Sequence, residues 1–252
     1  MIIRELAERA YFLVCLALAS LLRSARYSTT RIDPDGVRKQ RVFYAPVLIW
    51  LGGPLLRILD TGVRVLPQRA WEERERTVYR SVYAVSIEVE VDGTLLLPRF
   101  AGQTLASLLE DPRVEESVRK QAIERATSAL ADFHRLGFTH ADAMAENVMV
   151  DLDAGVARWF DFETVHDANR SIAWRRADDV RALLVTCLLR TAPEKHATTL
   201  ECILDRYADH HVTRLLAASF TSVRRRSLTF HLAQAGLSFQ CFRQIAGLLT
   251  GR

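Results

Sequence analysis

Lysine is scarce in this chain: only Lys39, Lys120 and Lys195 stand among 34 basic residues, so the remaining 31 (34 − 3) are arginine. That imbalance reads as codon usage rather than nucleic-acid binding, because no basic run is interleaved with the aromatic residues on which a single-strand binder stacks bases. Cysteine is sparse too. Cys15, Cys187, Cys202 and Cys241 lie far apart without CxxC spacing, which excludes a disulfide framework and a zinc site and agrees with a reducing, cytoplasmic compartment. No apolar run is long enough to cross a bilayer; "AYFLVCLALASLL" has 13 residues where about 20 are needed. Acidic Glu5 and Glu8, and the lack of a small-residue cleavage site before Arg23, speak against a signal peptide. Residues 1–26 are therefore expected to form a helix packed on the domain, with peripheral membrane contact as the alternative. There is no GxSxG elbow and no supported Cys–His pair, so hydrolase chemistry has no foothold. His134, His166, His210 and His211 share no ligand spacing and read as surface or capping residues.

What is present is ordinary globular composition, 49% apolar and 25% charged over 252 residues, enough for two lobes with buried cores. "DPDG" at 33–36 marks a β-hairpin over residues 27 to 43. "APVLIWLGGPLLRIL" (45–59) is broken by Pro46, Gly52, Gly53 and Pro54, so it is expected as short helical pieces or an insertion touching lipid. Trp71, Val78 and Val82 fall at helical spacing. Two strands, "SIEVEV" and "TLLLPRF", follow around an Asp92-Gly93 turn. From Thr104, an expected N-cap, the pattern turns helical: a long amphipathic helix over 114–136 closed by Gly137, then helices over 177–190 and most of 196–250. The expected fold class is α+β with two lobes, residues 27–99 strand-rich and 100–252 helical.

Between the helices lies "FTHADAMAENVMVDLDAGVARWFDFETV" (138–165), with more polar chemistry than a hairpin requires. If its strands pair around a three-residue loop, Asp153-Ala154-Gly155, then Asn147 faces Asp161. Opposed residues on one sheet face lie about 5 Å apart, so an amide oxygen and a carboxylate can share a hard cation, with Mg2+ the natural candidate. Asp142, in the loop entering the hairpin, is then placed to accept a proton from an attacking hydroxyl.

His140-Ala141-Asp142 followed by Asn147 resembles the H-x-D-x-x-x-x-N catalytic loop of kinases, and Asp161-Phe162-Glu163 is similar to their D-F-G motif. The resemblance implies a two-lobed protein-kinase-like fold that transfers the γ-phosphoryl group of ATP to a hydroxyl, with Asp142 as base, Asn147 and Asp161 as Mg2+ ligands, and His140 bracing the backbone. Met144 replaces the usual loop lysine, Glu163 replaces the glycine, and Thr164–Arg176 is short for an activation loop. That reduced pattern is shared with small-molecule phosphotransferases and with lipopolysaccharide (Kdo and heptose) kinases. It points to a small-molecule or glycolipid acceptor, a sugar or lipid-linked sugar. A serine/threonine protein kinase and a non-catalytic, ATP-binding pseudokinase scaffold stand as alternatives. Asp178 or Asp179 either braces the catalytic loop or lies on a solvated helix start, the latter favoured. No GxGxxG loop occurs in the first 100 residues. The phosphate-clamping lysine is found by elimination as Lys39, the only lysine before the boundary, and its expected partner is Glu75, which shares the stripe of Trp71 and Val78.

Overall fold

In the computed structural model the described residues are 6–7, 9–11, 13–14, 27–58, 60–220 and 239–250. The described positions between 6 and 14 are helical. The rest of the expected N-terminal helix, and residues 221–238 of the expected C-terminal helices, lie outside the described residues.

The chain is a mixed α+β protein with small antiparallel sheets. Strands β1 (Ser28–Asp33) and β2 (Gly36–Arg41) form the expected hairpin, with Asp33 opposite Gly36 across the Pro34-Asp35 corner. They join β4 (Glu88–Val89) and β5 (Leu95–Leu97) in a sheet ordered β1-β2-β5-β4. Between them lie α1 (Ala45–Ile58), β3 (Val63–Val65) and α2 (Gln68–Tyr83). Helix α1 corrects the expectation of broken pieces: it runs unbroken with Pro54 inside it. A proline deprives one turn of its hydrogen bond, and over a helix this short that bends the path without ending it.

Helix α2 buries Trp71, Glu75, Val78 and Tyr79, the i, i+4, i+7, i+8 stripe of a helix lying on a core. After β6 (Gln103–Thr104), Thr104 caps α3 (Leu105–Glu110) by accepting from the Ser107 amide at 3.1 Å. Gly102 cannot be replaced cheaply: its φ is +98°, and a Cβ there would stand 2.1 Å from the Val150 carbonyl oxygen. Helix α4 (Glu116–Arg135) ends as expected at Gly137. Strands β7 (Val148–Asp151) and β8 (Val156–Trp159) form the hairpin, and β9 (Thr164–His166) follows. Helix α5 (Ile172–Leu188) is buried on every side from Ala177 to Leu188, so it is the central post around which α4, α6 (His196–Tyr207) and α7 (His210–Ser219) pack; α8 (Phe239–Thr250) is the last element.

Three short strands were not expected from the sequence: β6, which pairs with β7, and the pair β3 and β9. β3 and β9 pair antiparallel, Val63 opposite His166 and Val65 opposite Thr164, and the Leu66 amide extends the ladder to the Glu163 carbonyl at 2.9 Å. This ribbon ties the segment before α2 to the residues just after Asp161-Phe162-Glu163. The hairpin register also differs from expectation. Val148 lies opposite Trp159 and Asp151 opposite Val156, so the loop holds Leu152 as well as Asp153, Ala154 and Gly155. Asp151 accepts from the Ala154 amide at 3.0 Å, and the Gly155 amide returns to the Leu152 carbonyl at 3.3 Å, a tight turn that consumes the extra residue. Gly155 does take the left-handed conformation, φ +67°. In this register Asn147 opposes Phe160 rather than Asp161, and the Phe160 amide donates to the Asn147 carbonyl at 3.0 Å.

Candidate active site

One continuous core joins the strand-rich and helical parts, and Phe162 stands at its crossing point. Its ring stacks on Phe133 of α4 (centroids 5.5 Å, 14°) and meets Tyr79 of α2 and His140 edge-on or tilted. Helix α2 is fastened across the same seam by three side-chain bonds. Arg74 donates to the Thr139 carbonyl at 2.6 Å, Tyr83 to the Trp159 carbonyl at 2.5 Å, and Glu75 accepts from the Phe162 amide at 3.1 Å. The motif segments on either side of Phe162 are therefore fixed by packing before any ligand arrives.

The catalytic-loop candidate is held from below. Asp179 of α5, buried in the core, accepts from the His140 amide (2.7 Å), from the Ala141 amide (2.7 Å) and from His134 (2.9 Å). Ala141 has φ +66°, a region that costs an L-residue of its kind roughly 1–2 kcal/mol, and the two amide bonds to one carboxylate hold it there. Asp179 is thus a brace and no solvated helix start. The His140 ring donates from Nε2 to the Phe160 carbonyl at 2.9 Å, and burial lowers its pKa to about 4, so the ring is neutral. With the Asn147–Phe160 amide bond, both backbone polar groups of Phe160 are tied to the loop, which aims Asp161 next in the chain. Two histidines depart from expectation: His134, bonded to Asp179 and to the Tyr207 hydroxyl (2.7 Å), and His166, bonded to Asp178 (3.2 Å) and Thr139 (2.9 Å), are buried, because helix α5 brings carboxylates to them inside the core. His210 and His211 are exposed, as expected.

On this frame four groups gather. The Asn147 amide nitrogen donates to both the carbonyl and a carboxylate oxygen of Asp142, each at 2.9 Å, leaving Asn147 Oδ1 to face another partner. Asp142 is half-buried, and its pKa is raised to about 8, by burial first and then by the neighbouring Asp161 charge, against the Asn147 bond. Asp161, with φ +70°, leaves the strand path and meets Lys39 Nζ at 2.5 Å. Burial works against the Lys39 charge, but Asp161, Glu163 and Glu75 outweigh it and raise its pKa; Asp161 is held low by the same pairing. The Asp161 side chain retains 28% exposure, so it can be approached from solvent.

The expected ion pair between Lys39 and Glu75 is not the one formed. Lys39, buried on the inward face of β2, bonds Asp161, and Glu75 acts on it only at longer range. Glu75 instead accepts from Trp71 Nε1 (3.0 Å) and the Phe162 amide with Oε1, while its Oε2 is buried without a partner. Burial raises its pKa to about 7. The sequence reading missed Arg41 altogether. Two residues along β2 from Lys39, it reaches Glu163 Oε2 at 2.8 Å and the Leu66 carbonyl at 2.9 Å, and its guanidinium lies 4.6 Å from the Trp71 ring centre. Lys39 sits 5.4 Å from the same ring. Cations at i and i+2 on one strand face thus meet carboxylates at i and i+2 of Asp161-Phe162-Glu163, and that matched alternation was the signal available in the sequence.

Among the described residues no group of three His, Cys, Asp or Glu side chains is arranged to hold a metal. An open cavity of about 400 Å3 beside Tyr207 contains none of these motif residues, and Asp132 and Asp209 offset its Arg135, Arg176 and Arg206. Compared with protein-family models, with curated proteins and with solved structures, the chain returns no match.

Proposed function

We propose that the protein is an ATP-dependent phosphotransferase with a protein-kinase-like, two-lobed arrangement, acting on a hydroxyl of a sugar or lipid-linked sugar. The observation that carries this reading is the meeting of Lys39, Asp161, Asn147 and Asp142 at the seam between the strand-rich and helical parts. Asn147 Oδ1 and the solvent-reachable Asp161 carboxylate would hold Mg2+, which commonly takes one or two protein ligands and fills its other positions with phosphate oxygens and water. That fits a site with no cluster of three acidic or imidazole ligands. The ion supplies charge neutralisation at the phosphates.

The chain's own residues do the rest. Lys39, paired with Asp161 in this structure, would be the residue that meets the phosphate oxygens of a bound nucleotide. Asp142, fixed through Asn147, accepts the proton of the acceptor hydroxyl; its raised pKa suits a base working near neutrality, and a cation beside Asp161 would draw it down. Phe162, Asp179 and His140 keep these groups in register.

Thermal melting with ATP, with and without Mg2+, followed by ATP consumption with Asp142→Ala, tests the reading. Stabilisation that needs both ligands, together with a turnover loss of about 10²–10⁴ in the variant, is expected. A second reading, a non-catalytic ATP-binding scaffold, is favoured by one observation: Lys39 is engaged by Asp161 while Glu75 keeps an orphan oxygen. Mg2+-dependent binding without turnover on sugar or protein acceptors would select it.

A further inference from the structure

We propose that the outer face of α1, from Phe43 to Arg57, is a docking surface for an anionic phospholipid bilayer. Helix α1 buries one side, Ala45, Gly52 and Leu56, and turns the other outward. On that outer side Phe43 is 93% exposed, Trp50 75%, Leu51 57%, Val47 56% and Tyr44 40%, and exposed Pro46 and Pro54 fill the gaps. Val47, Trp50, Leu51 and Pro54 share one side of a helix of about 21 Å, Phe43 and Tyr44 stand in the turn that enters it, and there is no charge until Arg57. A water-facing helix normally shows the reverse pattern, and contiguous exposed apolar surface of this kind marks an interaction site.

Charge selects the occupant. From Gly36 to Leu59 the sequence contains no acidic residue, while Arg38, Lys39, Arg41 and Arg57 fall in that span. Arg38, Lys39 and Arg41 are taken by Asp33, Glu90, Asp161 and Glu163. Arg57 and Arg64 are exposed and make no ion pair among the described residues, and both line a cavity of about 150 Å3 beneath α1, with Asp167 as its acidic member. An aromatic and aliphatic face that ends in Arg57, with exposed Arg64 on the neighbouring strand β3, is the pattern of a helix lying in the headgroup region of an anionic bilayer, where Trp and Tyr rings sit at the interface and basic side chains meet phosphate. No described helix is long and apolar enough to cross a membrane, so the contact is peripheral.

Binding of the full chain to phosphatidylcholine vesicles with and without phosphatidylglycerol is the test, read by co-sedimentation and by the emission of Trp50. Of the other tryptophans, Trp71 and Trp159 are buried and Trp174 is half-buried, and together they form the background against which the shift is read. Expected is binding that needs phosphatidylglycerol and weakens with salt, with a blue shift, reduced about tenfold or more by Phe43→Ser with Trp50→Ser and lowered by Arg57→Gln with Arg64→Gln. Absence of binding, or binding indifferent to lipid charge, overturns the proposal. So does retention of binding in the Phe43→Ser, Trp50→Ser variant when Leu13→Ser with Val14→Ser abolishes it, which would assign the contact to the N-terminal segment. A wild-type chain that self-associates through this face and ignores vesicles also overturns it. None of these readouts depends on ATP, so the result stands apart from the fate of the phosphotransferase reading.

Discussion

At the scale of single residues, the site is a set of buried charges whose tolerance comes from their partners. Asp179 shows this most clearly. Removing its carboxylate strands His134 and two loop amides inside the core, and Asp179→Ala is expected to cost about 3–5 kcal/mol in urea unfolding. A loss below about 1 kcal/mol would contradict its bracing role. Asp142 gives a pH signature. Its pKa is about 8 in the folded chain and 3.8 in the reference state, so between those values the folded chain keeps a proton that the unfolded chain has released. Its contribution to stability is full below the lower value and is lost as pH rises through the upper one. Glu75, raised to about 7, acts in the same direction. In the absence of nucleotide, Asp142→Asn should therefore gain on wild type as unfolding is measured from about pH 5 to about pH 9. A difference that is flat across that range would count against a half-buried, proton-holding Asp142.

At the scale of elements, β2 and the Asp161-Phe162-Glu163 segment act as one clamp. Arg41 and Glu163 have side chains only 7% and 17% exposed, and the neighbouring Lys39–Asp161 pair shares their field. A double-mutant cycle of Arg41→Met with Glu163→Gln is expected to show a coupling of roughly 0.5–3 kcal/mol, because each single change leaves a buried charge behind. Strict additivity would show that the clamp is incidental. Phe162→Ala should cost about 3–5 kcal/mol, since its ring joins α2 and α4. The legible part of the sequence was local: Asp142 and Asn147 lie five positions apart and bond directly, Thr104 caps its own helix, and Gly155 takes the left-handed turn. What escaped was set by distant partners. Strands β3 and β9 are three residues each and pair across about a hundred positions, too short to leave a period of their own. His134 and His166 look like surface residues until α5 supplies their carboxylates. The one-residue register change came from turn bonding at Asp151, and it altered which residue faces Asn147.

For the whole molecule, the arrangement places a strand-borne cation and a helix-braced acid on opposite sides of one seam, with a single apolar core beneath both. The central claim is that Asp161 and Asn147 hold a cation for a nucleotide. It is tested most directly by titrating ATP into wild-type chain and Asp161→Asn, with and without Mg2+, in a calorimeter. Tighter ATP binding with Mg2+ in the wild type, and a loss of at least about tenfold in the variant, is the expected result. ATP binding that is the same with and without the metal, or unchanged by Asp161→Asn, would contradict it.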